Sequence, residues 1–95
     1  MEVTEVKVRK VFRTGPLKAI VSLTFDNELA VHDVKVVSSG EKTFVVMPAK
    51  KGPDGFRDII HPINTRARNA VESAVIGAYE EYLKTAVFDE TPAEV

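Results

Sequence analysis

Five of the thirteen basic side chains in this chain fall within one stretch: Lys50, Lys51, Arg57, Arg66 and Arg68. Only Asp54 and Asp58 oppose them there. Ammonium and guanidinium groups gathered this way attract phosphate, and the position of the last two adds to it. Arg66 and Arg68 open a helical pattern, and a helix start carries unpaired N–H groups and a partial positive charge. Other chemistry is poorly supplied. There is no cysteine, which excludes disulfides, thiolate metal sites and cysteine nucleophiles. Asp58 and His61 could form two metal ligands, but no third accompanies them, and His61 before Pro62 reads as a hydrogen-bonding residue near the helix start. His32 beside Asp33 reads as strand packing. Gly40-Glu41-Lys42-Thr43 lacks the earlier glycine and the following helix of a phosphate loop. Ser38 and Ser39 lie in a turn with no nucleophile elbow. No catalytic residue, metal or cofactor is predicted, and the chain is not expected to be an enzyme.

The elements that must carry the basic set are legible from periodicity. Thr4, Val6, Val8 and Phe12 share one face of a first strand, with Lys10 as an exception on that face. After Thr14-Gly15-Pro16, Leu17, Ala19, Val21, Leu23 and Phe25 alternate with polar residues in a second strand, where only Ile20 blurs the polar side. Asp26-Asn27 predicts a tight hairpin, because both residues tolerate a left-handed backbone. In the third strand the apolar phase slips from Leu29 and Val31 to Val34 and Val36, which predicts a β-bulge or a change of neighbours at His32-Asp33. Thr43-Phe44-Val45-Val46-Met47 is apolar on both faces and reads as a central strand, or one covered by another subunit. Residues 48–58 read as a loop turning at Pro53-Asp54-Gly55, with a short strand from Phe56 to Ile60 closing the sheet. Ala67, Ala70, Val71, Ala74, Val75, Ala78, Tyr79, Tyr82 and Leu83 recur at helical spacing, with Asn64 or Thr65 as N-cap. Gly77 lies on the polar side of that helix.

The expected architecture is α+β: an antiparallel meander of four to five strands and one long C-terminal helix. A single domain spans residues 1–88, and 89–95 form an acidic, disordered tail. One helix covers one face of a sheet. The other face or an edge then keeps Ile20 and either Val45 or Met47, which in a 95-residue chain predicts a homodimer. No apolar run approaches the ~18 residues of a membrane helix, and residues 1–5 lack a signal-peptide core, so a cytoplasmic protein without membrane contact is expected. The net charge of −1 conceals asymmetry. Residues 1–18 balance to +3, 19–49 to −2, 50–68 to +3 and 69–95 to −5. On these grounds a nucleic-acid-binding protein and a protein-interaction domain both remain open.

Val31-His32-Asp33-Val34, Val46-Met47-Pro48-Ala49-Lys50-Lys51, Pro53-Asp54-Gly55-Phe56-Arg57-Asp58-Ile59 and His61-Pro62-Ile63-Asn64 resemble the signature stretches of the SpoVG family, the stage V sporulation protein G or septation regulators. The resemblance runs in order from residue 1 to about residue 83. It implies a small sheet with a C-terminal helix, a homodimer, no enzymatic activity, and a regulatory role in septation and, in spore formers, sporulation. It also implies binding to DNA and to RNA. Basic residues of the loop and helix are implicated, which map here onto Lys50, Lys51, Arg66 and Arg68; Arg57 joins them by its place in the basic stretch. DNA is expected more than RNA. The alternative is a septation regulator that acts through a protein partner with no physiological nucleic-acid binding.

Overall fold

The computed structural model describes residues 2–85; the predicted tail at 89–95 lies outside them. Strands β1 (Val3–Val11), β2 (Leu17–Phe25), β3 (Leu29–Ser39) and β4 (Lys42–Val46) form an antiparallel meander in that order. Strands β5 (Ala49–Gly52) and β6 (Gly55–Asp58) make a separate two-stranded sheet, and helix α1 (Thr65–Leu83) follows. The class is α+β, as expected.

The Asp26-Asn27 hairpin is present. Both residues are left-handed (φ 50° and 57°), and the Glu28 N–H donates to the Phe25 carbonyl at 2.9 Å. The turn is also tied to the start of β1: the Asp26 carboxylate accepts from the Glu2 N–H, and the Thr4 hydroxyl accepts from the Asn27 N–H, each at 2.9 Å. The phase slip in β3 is a bulge. Val21 pairs with Val34 and Leu23 with Val31, so β3 carries one extra residue, and Asp33 takes φ 61° there. The extra residue puts Val31, Val34 and Val36 all on the buried side.

Strand β1 departs from strict alternation for the same reason. Bulges between Val3 and Glu5 and between Val8 and Lys10 turn Val3, Val6, Val8 and Val11 inward and leave Thr4 and Lys10 exposed. Phe12 is buried as expected. Strand β4 is not central: it pairs with β3 alone and forms the sheet edge, with Phe44 41% exposed. Val45 and Met47 pack against the helix-side core, so the outward apolar residue of this strand's end is Val46. Residues 48–58 are a hairpin, not a loop, and β6 does not close the main sheet.

Helix α1 lies on one face of the meander over Ala19, Val21, Leu23, Val34 and Val36. Of its predicted apolar face only Val71 and Val75 are buried. Tyr79 and Ile76 pack partly against the core, while Tyr82 and Leu83 stay exposed. Burial raises the Tyr79 phenol pKa above its ordinary value. Gly77 faces solvent, and a Cβ there meets nothing within 4 Å. Gly77→Ala is therefore expected to stabilise the fold by about 1 kcal/mol, read as a Tm several degrees higher in thermal denaturation.

Candidate nucleic-acid interface

The β5–β6 hairpin is a β-ribbon standing off the body. Among the described residues these strands pair with each other and pack against neither the four-stranded sheet nor α1. The Ile59 N–H donates to the Pro48 carbonyl at 2.8 Å and closes the base of the ribbon. At the tip, Pro53 presets one turn dihedral and Gly55 takes φ 109°, a conformation that side chains rarely adopt. The register is Ala49 opposite Asp58, Lys50 opposite Arg57, Lys51 opposite Phe56 and Gly52 opposite Gly55.

Side chains alternate across a strand, so this register sorts the ribbon into two unlike faces. Lys50, Arg57, Gly52 and Gly55 share one, which has no carboxylate and two positions without a side chain. Ala49, Asp58, Lys51 and Phe56 share the other, where Asp58 offsets Lys51. Placing Lys50 directly across from Arg57 is unfavourable, since like charges opposed on a ribbon repel. A phosphate between them removes that repulsion and takes hydrogen bonds from both.

At the helix start the Asn64 side chain accepts the Ala67 N–H at 2.8 Å, confirming Asn64 as the N-cap. The two helix cations are less available than the ribbon pair. Arg68 lies 3.7 Å from Glu72 one turn on, and Arg66 borders a cleft that Glu2 and Asp26 also line. The five predicted residues are thus distributed: Lys50 and Arg57 share a ribbon face, Lys51 lies on its reverse, and Arg66 and Arg68 belong to a helix that the ribbon does not touch. His61 Nδ1 donates to the Pro62 carbonyl at 3.1 Å, and His32 Nδ1 lies 2.9 Å from Ser22 Oγ. Among the described residues no group of three or more His, Cys, Asp or Glu is placed to hold a metal. No helix there is long and apolar enough to cross a membrane.

Sequence reasoning missed one feature. Phe56, Ile59 and Ile63 are 75%, 69% and 85% exposed, and Ile63 borders an apolar cleft of about 550 Å³ between α1 and the β1–β2 end, lined also by Val3, Phe25, Ala70 and Val71. The available signal was the set Phe56, Ile59, Ile60 and Ile63, which has helical spacing in a segment that Pro53, Gly55 and Pro62 keep from forming a helix, so it has no core face of its own to join.

A four-stranded meander backed by one helix and carrying a basic ribbon defines a small α+β protein with a projecting cationic arm. The SpoVG family model matches residues 1–81, and the chain belongs to the SpoVG family. Three similar relatives each carry the name "Putative septation protein SpoVG". That of Clostridium kluyveri is 51% identical over 82 residues, covering 85% of each chain. That of Acetivibrio thermocellus is 51% identical over 81 residues, 84% of this chain and 86% of the relative. That of Heliobacterium modesticaldum is 51% identical over 88 residues, 92% of this chain and 99% of the relative.

Proposed function

We propose that this chain is a non-enzymatic bacterial regulator of septation, and of sporulation where its host forms spores, that binds nucleic acid as a cytoplasmic homodimer. The observation that carries the binding is the ribbon face on which Lys50 and Arg57 stand opposite each other with no carboxylate beside them. A two-stranded ribbon fits the width of the DNA major groove, and an A-form RNA duplex does not admit one, so duplex DNA is the favoured ligand. Arg57 supplies a planar fork suited to guanine or to phosphate, and Lys50 a point charge for phosphate. Lys51, Arg66 and Arg68 add positive potential around this contact. If the dimer neutralises four to six phosphates, log K for duplex DNA falls against log salt with a slope of roughly −4 to −5. A slope near zero in a fluorescence-anisotropy titration overturns the reading.

The dimer is supported by Phe56, Ile59 and Ile63. Apolar side chains this exposed, of which Ile63 borders an apolar cleft on the same chain, suit a self-complementary twofold contact in which each copy fills the other's cleft. Ile59→Asp/Ile63→Asp is expected to convert a dimer to a monomer in sedimentation equilibrium. A wild-type chain that sediments as a monomer assigns the same apolar stretch to a different protein, which is the partner-mediated alternative for septation.

A further inference from the structure

Helix α1 covers one face of the meander, and the basic N-terminal block, balanced at +3 over residues 1–18, plays no part in the ribbon. We propose that the opposite, open face of the four-stranded sheet is a second nucleic-acid surface, one that takes a single strand. At its centre Ser22, only 7% exposed, accepts the Arg9 Nε–H at 3.2 Å and lies 2.9 Å from His32 Nδ1. The Ser22–His32 bond can run in either direction, since a hydroxyl oxygen with one lone pair given to Arg9 keeps a second and also has its own proton. Either way Ser22 holds the Arg9 and His32 side chains together from beneath. The remaining four N–H groups of the Arg9 guanidinium meet no protein acceptor among the described residues.

Two bulges create this arrangement. The β1 bulge between Val8 and Lys10 contains Arg9, and the β3 bulge places His32 beside the left-handed Asp33. Register adds Lys7, opposite Ser22, and Lys35, opposite Ile20 and Val46. Among the described residues neither Lys7 nor Lys35 is ion-paired; of the carboxylates, Glu5 lies toward the Phe25 end, and Asp33 stands in the β3 bulge beside His32, level with Ser22. The cations give way on the β4 side to an apolar strip, where Phe44 pairs with Val37 next to Lys35.

That mixture selects the occupant. A duplex hides its base faces and gains nothing from Phe44 or Val46. A single strand can lay its phosphates along Arg9, Lys7 and Lys35 and stack an unpaired base on the Phe44 ring. The surface is independent of the ribbon and lies on a different part of the molecule.

The test uses the full chain and a labelled 20-nucleotide single strand of mixed sequence, as DNA and as RNA, alongside the same sequence as duplex DNA. Arg9→Gln/Lys35→Gln is expected to weaken single-strand binding by tenfold or more, and Phe44→Ala by about tenfold, both with duplex binding unchanged. Lys50→Ala/Arg57→Ala is expected to do the reverse. Single-strand binding that survives both sheet-face variants, or that disappears together with duplex binding in the ribbon variant, overturns the proposal. If a sheet-face variant fails to fold, backbone NMR of the wild-type chain decides. Single-strand addition must shift Phe44, Lys35 and His32, and shifts confined to residues 49–58 refute the second surface. Weaker binding of DNA than of RNA assigns a contact to the 2′-hydroxyl; equal binding assigns recognition to phosphates and stacking alone.

Discussion

Replacing Lys50 and Arg57 together by alanine is expected to flatten the duplex-DNA salt slope by about two units per chain, while Lys51→Ala changes it by less than one. Each removed phosphate contact takes about one unit from the slope. The contrast follows from register: Lys50 and Arg57 are cross-strand partners on the carboxylate-free face, and Lys51 lies on the reverse with Asp58. A charge count predicts equal losses for the two lysines, so the comparison separates an oriented ribbon from a diffuse basic patch. Lys50→Glu sharpens it. That change puts opposite charges across the ribbon, where such a pair contributes roughly 0.2–1 kcal/mol, so the free protein is no less stable. Binding is nevertheless lost, because a carboxylate now occupies the phosphate position. Arg68→Ala is expected to cost little, since that guanidinium already lies beside Glu72. A Lys51→Ala variant as defective as the double variant refutes the assignment of the contact face.

The largest effect on stability is expected at Leu23. Its side chain is fully buried near the C-terminal end of β2, between β1 and β3 and beneath α1, paired with Val6 on one side and Val31 on the other. Leu23→Ala removes buried carbons and leaves a cavity that a sheet flanked on both sides cannot collapse to fill. The expected loss is about 3–5 kcal/mol. A domain of this length has about 5–14 kcal/mol in total, so the variant loses a large share of its stability, and its Tm falls by more than 10 °C. Chemical denaturation checks it: the midpoint falls while the slope stays the same. A loss below 1 kcal/mol shows that this end of the sheet is not held by the helix-side core. Ser22, one position along, is the useful contrast. Its side chain emerges on the other face, so Ser22→Ala leaves the core intact and releases Arg9 and His32.

Much of this molecule is determined by its sequence alone. The Asp26-Asn27 turn, the left-handed backbone at Asp33, the second strand and the start of the helix at Asn64 are local events. Each depends on residues that are neighbours in sequence, and on backbone preferences that act before tertiary contacts form. The basic stretch and its family resemblance were legible for the same reason. Sheet order was not. Thr43 to Met47 is apolar on both sides whether the strand is central or at an edge, and only the pairing of β4 with β3 alone resolves it. Strand β1 misleads because its two bulges each shift the side-chain phase by one residue, and a bulge is a property of two paired strands. The tertiary structure alone decided how the cations are grouped. Lys50 and Arg57 are seven positions apart in sequence and meet only because the segment between them folds back as a ribbon, while Arg9 and His32 meet at Ser22, with Lys35 on the neighbouring strand, only because β1, β2 and β3 lie side by side. Charge composition is read along the chain, but a phosphate meets charges across strands.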